Sequence, residues 1–94
     1  MTNIHDTQER LKLYYVSKTF TFLKEIMPNG FEAVRNGFVR ELHDDFILFF
    51  DVVSIRELPI PIDKISDVQV SAKKDMTALQ AKEIEERYYE ENKN

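Results

Sequence analysis

Cysteine and tryptophan are absent from this chain of 94 residues, and glycine and proline are scarce, with two and three residues. Without cysteine there are no disulfide bonds, no thiol nucleophile and no cysteine-ligated zinc, so the fold depends on packing or on association. With two glycines there is no glycine-rich phosphate loop and no serine in the setting of a nucleophile elbow. We therefore expect no catalytic residue, no cofactor and no enzymatic activity.

Long apolar runs and an excess of basic residues are also missing. The longest uninterrupted apolar stretch, Phe46–Phe50, is far shorter than the roughly 20 residues that a membrane-spanning helix needs. The first six residues lack the basic and apolar segments of a signal peptide. Thirteen basic against seventeen acidic residues give a net charge of −4, which argues against binding nucleic acid chiefly through its phosphates. We expect a cytoplasmic protein with no membrane or DNA partner, in which any RNA contact is local.

Apolar residues make up 43% of the chain, with seven Phe and four Tyr, which is enough to fill the core of one small domain. Asp6 and Glu9 have capping-box spacing and predict a helix over about residues 7–15. Leu11, Tyr14 and Tyr15 lie on one face of that helix, which packs either on the core or against a neighbouring chain.

The next part of the chain has the pattern of a β-hairpin. Alternating Thr and Phe over residues 18–23 predict a first strand. The turn sequence at residues 28–30, Pro-Asn-Gly, leads into a long second strand over residues 31–42. Gly37 in its middle marks a place where a sheet can bend sharply, and residues 43–45 form a polar break.

Three further short strands follow. Residues 46–53 are apolar enough for a strand that is buried on both faces. A fourth strand lies within residues 54–61, where Pro59 and Pro61 place two missing N–H groups on the same side. Proline is confined to edges and strand starts, so this strand leaves one side unpaired or only partly paired. Residues 65–70 form a closing strand.

The chain ends in a predicted helix over residues 78–90, with Thr77 and Gln80 at capping-box spacing. Lys82 with Glu86 is a predicted i,i+4 ion pair. The apolar side of this helix is narrow and consists of Leu79, Ala81, Ile84 and Tyr88. The helix therefore either docks lightly on the sheet or binds a partner.

The expected fold is mainly β with flanking helices: a short N-terminal helix, a five-stranded, strongly bent antiparallel barrel of the Sm-like or SH3-like kind, and a C-terminal helix. We expect two units, a barrel domain with its N-terminal helix over residues 1–72 and a helical tail over residues 73–94.

The order of these parts, from Thr7 to Val70, resembles the Sm-like family, which includes the LSm and Hfq-type proteins. The matching features are Asn29-Gly30 in the first hairpin, Gly37, the run Asp44-Asp45-Phe46-Ile47-Leu48, and Ile60–Ile65 near the second Sm motif. Pro61-Ile62 stand where the family has Arg-Gly, or Tyr-Lys-His in Hfq-type members.

The resemblance implies a ring of six or seven subunits that binds single-stranded RNA rich in uridine or adenine. Phe46 then stacks on a base, Asp44 or Asp45 is the loop acid, and Asp63 and Lys64 are the polar residues of the second motif. In the family, strand four pairs with strand five of the next subunit. The candidate oligomer or partner edge consists of Ile55, Leu58, Ile60, Val68 and Val70.

A second interpretation stays open, in which the same barrel is a protein–protein interaction module that uses a strand edge or the C-terminal helix. Phe46 is then an ordinary core aromatic, and the pair Asp44-Asp45 caps its loop. We expect no metal site at these carboxylates, because hard cations need several more oxygen ligands. The partner is single-stranded RNA, a second copy of the chain, or another protein.

Overall fold

The computed structural model describes residues 4–93, in which five strands lie between two helices. The elements are α1 (Ile4–Ser17), β1 (Thr21–Ile26), β2 (Glu32–Leu42), β3 (Phe46–Asp51), β4 (Arg56–Pro61), a 3₁₀ turn (Ile62–Lys64), β5 (Ile65–Val70) and α2 (Ala78–Glu91). The predicted class, mainly β with flanking helices, is confirmed. The first three residues and Asn94, which the predicted units include, lie outside the described residues.

The five strands form one antiparallel sheet in the order β4-β3-β2-β1-β5. β4 and β5 are therefore its two edges, and the sheet is open rather than closed into the predicted barrel. The two edge strands nevertheless share one core, because Ile60 of β4 and Val68 of β5 pack in the same apolar cluster as Leu23 and Phe49. The sheet is curled around that cluster.

The β1–β2 hairpin forms at the predicted turn. The Gly30 N–H donates to the Met27 carbonyl at 2.8 Å, and Gly30 has a φ of +89°, a conformation that glycine adopts without strain. β1 begins at Thr21 rather than at residue 18, because α1 continues to Ser17 and Lys18 ends it with a φ of +55°. The Thr19 N–H then donates to the Tyr14 carbonyl at 3.1 Å, which closes the end of the helix.

Gly37 lies at a close approach between the backbones of β2 and β3. It faces Asp51 in the register of the two strands, and a Cβ at this position would stand 1.7 Å from the Phe50 carbonyl oxygen. A break in register follows between Val39 and Glu41. The predicted bend thus coincides with a position where only glycine fits and with a bulge two residues later.

Helix α1 covers the inner side of the curled sheet. Leu11 is fully buried in the core cluster and Tyr14 packs against that cluster, whereas Tyr15 is exposed. Arg10 Nη1 donates to the Val68 carbonyl at 3.0 Å and so ties the helix to the β5 edge. The prediction that Asp6 caps the helix is wrong: α1 begins at Ile4, and Asp6 lies within its first turn.

Helix α2 packs on the opposite face of the sheet. Its Ala81 is buried among the sheet residues Phe20, Phe38, Phe50 and Val52. The predicted capping box is present, with Gln80 N–H donating to Thr77 Oγ1 at 3.1 Å and Thr77 N–H donating to Gln80 Oε1 at 2.9 Å. None of the helices within residues 4–93 is long and apolar enough to cross a membrane.

Two details of the predicted C-terminal helix are wrong. Leu79 is 69% exposed, and Tyr89 instead packs against the cluster beside Ile84 and Tyr88. Lys82 pairs with Glu85 at 2.8 Å rather than with Glu86. Both differences arise because the helix turns Glu85, and not a fully apolar stripe, toward the sheet.

Candidate functional site

The β2–β3 turn and the 3₁₀ turn adjoin each other at one end of the sheet. The Ile62 N–H donates to the Asp45 carbonyl at 3.0 Å, so these two segments are joined directly through their backbones. A depression of about 340 Å³ lies between them, lined by Gln8, Asp44, Asp45, Pro61, Ile62 and Asp63. The structure therefore brings together three of the predicted site residues, and Lys64 does not line the depression.

The remaining predicted residue, Phe46, lies at the start of β3 and faces Pro61 of β4. It is half-buried, and the His43 ring stacks on it with centroids 4.4 Å apart and planes at 10°. His43 keeps 44% of its side chain exposed and pairs with Glu41 through a contact of 2.8 Å between Nε2 and Oε1. Since His43 covers one face of Phe46, the ring available for stacking there is that of His43.

Sequence reasoning missed this role of His43. The His43 N–H donates to the Phe46 carbonyl at 3.0 Å, which closes a tight turn and sets the two side chains next to each other. The sequence does contain one hint of the stack, since His43 and Phe46 stand three positions apart with two aspartates between them. The stack is therefore a product of the turn geometry, which spacing alone does not reveal.

The electrostatic character of the depression is acidic, because Asp44, Asp45 and Asp63 are all exposed around it. On the other side of Asp44, an adjoining depression includes Lys12 of α1. Carboxylates accept hydrogen bonds from N–H groups and repel phosphates. Within residues 4–93 no group of three or more His, Asp or Glu side chains is arranged to hold a metal ion.

The candidate edge residues differ in what they present to a partner. Ile55 is 52% exposed and Val70 is 59% exposed, whereas Ile60 and Val68 are fully buried in the core. Leu58 is partly buried against the same core. At Ile60 and Val68 a partner can meet only the backbone of the strand.

The backbone of β4 is unusual at its outer edge. The Ile62 N–H faces β3, so alternation along the strand turns the backbone groups of Ile60 toward β3 and those of Glu57, Pro59 and Pro61 outward. Two of these three outward positions lack an N–H. The prediction that the prolines leave one side of β4 unpaired therefore agrees with its place at the edge of the sheet, and this edge offers mainly acceptors.

A polar network that the sequence did not indicate lies under α2. Glu85 is 2% exposed, and its carboxylate contacts Arg40 Nη1 at 3.2 Å and Lys82 Nζ at 2.8 Å. The Arg40 guanidinium lies 3.8 Å above the centre of the Tyr89 ring, and the Tyr89 hydroxyl donates to Glu57 Oε2 at 2.5 Å. Burial, together with the Glu57 carboxylate, raises the pKa of Tyr89 well above its usual value.

No protein-family model matches this chain, and no curated protein is significantly similar to it in sequence. The two adjoining turns, the aromatic stack and the edge strands are therefore the features of the molecule that bear on its function.

Proposed function

We propose that this chain is a non-enzymatic Sm-like protein that binds single-stranded RNA as part of a homo-oligomer. The observation that carries the proposal is the direct contact between the β2–β3 turn and the 3₁₀ turn, through Ile62 and Asp45. These are the two segments to which the family resemblance assigns RNA contacts. Their adjacency supports a single base-sized site at one end of the sheet.

In the proposed site, a base extends the stack that Phe46 and His43 begin. Base stacking on aromatic side chains contributes about 1–3 kcal/mol per base and is tolerant of sequence. The carboxylates of Asp44, Asp45 and Asp63 accept hydrogen bonds from base N–H groups and keep phosphates at a distance. We therefore expect base contacts, rather than phosphate neutralisation, to supply most of the affinity.

Fluorescence anisotropy with a labelled oligo-U or oligo-A tests this arrangement. The substitution His43→Ala is expected to weaken binding by about 5- to 150-fold, in line with the loss of one stacked base. Tyr15→Ala is the matched control, because Tyr15 is an exposed aromatic residue of α1 outside the site. Equal affinities for the two variants, or no binding by the unmodified protein, would contradict the proposal.

The oligomer is tested by light scattering at low salt, with and without short oligo-U or oligo-A. A mass of six or seven subunits that rises with RNA supports a ring. A monomer or dimer whose measured mass does not change when RNA is added contradicts the RNA-binding ring. The outward prolines of β4 make this a demanding test, because pairing through that edge must rely largely on its carbonyl groups.

A second candidate function is a protein–protein interaction module, which the exposure of Val53 and Ile55 favours. These two residues are 61% and 52% exposed in the turn that precedes β4. The apolar side of α2 already packs on the sheet, so a strand edge is the better docking element than this helix. At the other edge, the Ser71 N–H donates to the carbonyl of Phe20, the residue before β1. Because backbone groups alternate in direction along a strand, the N–H and carbonyl of Val70 then face outward.

The edge-binding alternative is tested with Val70→Pro, which removes an outward N–H and leaves the pairing of β5 with β1 intact. If copies associate without RNA through the β5 edge, this substitution is expected to reduce the mass measured by light scattering to that of a monomer. Lys74→Pro is the control, since Lys74 follows the strand. An unchanged mass in Val70→Pro contradicts association through β5.

A further inference from the structure

A separate cavity lies on the face of the sheet that carries α2, beside the area that the helix covers. Phe22 of β1 pairs in register with Asn36 of β2 on one side and with Gln69 of β5 on the other. Paired side chains share one face of a sheet, so the three form a row. The cavity has a volume of about 330 Å³, and Val70, Ala72 and Lys73 complete its lining.

Asn36 stands at one end of the row and is only 9% exposed. Its Oδ1 accepts from Ser71 Oγ at 2.8 Å, and Ser71 Oγ in turn accepts from the Lys73 N–H at 3.3 Å. The single hydroxyl hydrogen of Ser71 is thus given to Asn36 Oδ1, and the Asn36 amide nitrogen makes no contact with Ser71. The Asn36 amide nitrogen has no acceptor within residues 4–93. Among these residues, no side-chain nitrogen or oxygen that lacks a partner is completely buried, so this nitrogen is in part accessible. Its N–H groups therefore open onto the cavity.

Gln69 stands at the other end of the row with the opposite polarity. Its Nε2 donates to Asp67 Oδ2 at 2.9 Å, and because a carboxylate only accepts, this contact fixes the orientation of the Gln69 amide. Its Oε1 is then left as an acceptor. The row consequently presents a donor, an aromatic face and an acceptor, in that order.

We propose that this cavity binds a flat nitrogen heterocycle of the nucleobase type. The ring stacks on Phe22, one of its acceptors receives the Asn36 amide N–H, and a donor on its opposite edge binds Gln69 Oε1. Adjacent strands are about 4.8 Å apart, so the two amides begin about 10 Å from each other. That span suits a heterocyclic ring with a hydrogen bond at each end.

The ligand's base is either that of a free nucleotide or one base of a single strand, and both share this chemistry. Among residues 4–93, Lys73 is the one cationic residue that lines the cavity, and it can meet a phosphate of either ligand, although its Nζ also pairs with Asp75 at 2.9 Å. The cavity shares no residue with the depression beside the β2–β3 turn. It is therefore a second candidate site, and evidence for or against binding there does not depend on the first site.

The test uses the full chain, labelled with ¹⁵N, and follows the side-chain amide signals of Asn36 and Gln69 by NMR. The probes are AMP, GMP, UMP and CMP at up to millimolar concentration, and nonamers of A and of U. We expect at least one probe to shift both amide signals with saturation. Saturation by a mononucleotide identifies a free-nucleotide site, and tighter binding of the nonamer than of its mononucleotide identifies a site for a single strand.

Two variants test whether the shifts report the proposed contacts. Phe22→Leu is expected to weaken binding about tenfold through lost stacking, and Gln69→Met about fivefold through a lost hydrogen bond. Phe31→Leu and Lys74→Met, at exposed positions outside the cavity, are the matched controls and should bind as the unmodified protein does. Absence of shifts with every probe, or shifts that neither Phe22→Leu nor Gln69→Met weakens, overturns the proposal.

The same titrations separate this site from the first one. If RNA binding depends on His43 while the Asn36 and Gln69 signals never move, the cavity proposal fails and the proposed function stands. If those signals shift with a nucleotide while His43→Ala changes nothing, the cavity proposal stands and the site at the β2–β3 turn fails.

Discussion

The substitution Gly37→Ala tests the packing of the sheet most directly. The added Cβ would stand 1.7 Å from the Phe50 carbonyl oxygen and 3.2 Å from the Asp51 Cα, and the first of these atoms belongs to backbone that cannot rotate away. Ordinary contacts of this kind are about 3.4 Å or longer, so β2 and β3 must separate by more than 1 Å at this point.

The magnitude follows from what that separation disrupts. Two ladder hydrogen bonds contribute about 1 kcal/mol each, and overpacking a well-filled site costs about 1–3 kcal/mol. We expect the free energy of unfolding to fall by about 3–5 kcal/mol, out of the roughly 5–14 kcal/mol typical of a chain of 94 residues. Such a loss lowers the melting temperature by about 12 °C or more.

Urea unfolding followed by circular dichroism measures the change, and Gly30→Ala is the matched control. Gly30 has open space around its missing Cβ but a positive φ, so its substitution is expected to cost only about 1–2 kcal/mol. If Gly37→Ala costs no more than Gly30→Ala, the close approach of the two strands is not what requires glycine at position 37.

Three further predictions concern α2 and the turn before β4. The raised pKa of Tyr89 means that the folded protein favours the neutral hydroxyl. As the pH rises above 10.0, the usual pKa of tyrosine, the stability of the unmodified protein is therefore expected to decline relative to that of Tyr89→Phe. Thermal melts at a series of increasing pH values measure this difference. Glu85→Ala is expected to lower the free energy of unfolding in urea by about 1–2 kcal/mol, because Arg40 and Lys82 lose their carboxylate partner; the loss stays below the roughly 3–5 kcal/mol of a fully buried pair because both cations are part-exposed and regain water. The exposed control Glu86→Ala is expected to change it by less than about 0.5 kcal/mol. Ile55 has a φ of +56°, so Ile55→Gly is expected to raise the melting temperature, with a gain of about 1 kcal/mol from relieved strain. The first expectation is contradicted if the unmodified protein and Tyr89→Phe lose stability equally at high pH. The second is contradicted if Glu85→Ala and Glu86→Ala change the free energy of unfolding equally, and the third if Ile55→Gly has a lower melting temperature than the unmodified protein.

Local chemistry made the order of elements predictable from the sequence. The Pro-Asn-Gly turn, the polar break at residues 43–45 and the Thr77-Gln80 capping box each act within a few residues, and each is found where predicted. Strand boundaries were less predictable at the β1 end. Lys18 adopts a left-handed conformation there, and no local signal distinguishes this ending of α1 from an earlier one.

The candidate site could be predicted only in part, for a physical reason. Asp44, Asp45 and Asp63 meet because two turns exchange a backbone hydrogen bond, and the resemblance to a known family pointed to these turns. The stack of His43 on Phe46 depends on the exact geometry of the turn, and the row formed by Asn36 with its neighbours depends on strand register. Register is a property of long-range pairing, which residue spacing does not contain.

The buried Glu85 shows the same limit more sharply. Its neighbours along the chain, Ile84 and Glu86, suggest a helix whose charged positions face water, and the cation that meets it from the sheet, Arg40, lies 45 positions away. Burying a charged residue in a sheet–helix contact costs free energy unless oppositely charged partners pair with it there. The pairing that fixes α2 on the sheet is therefore visible only in the folded structure.

Acidic composition and RNA binding are compatible in this chain only if the bases carry the affinity. With a net charge of −4, the protein gains little from counterion release, which otherwise supplies most non-specific binding. Apart from Lys73, the polar and aromatic groups at the two proposed sites are rings, carboxylates and amides, which stack on bases or form hydrogen bonds with their edges. The same groups explain why a protein partner remains the alternative for this surface, since amides and carboxylates also bind peptide N–H and C=O groups. The dependence of RNA binding on His43 therefore decides between the two functions, because stacking on a base is the contact that a strand-edge partner does not need.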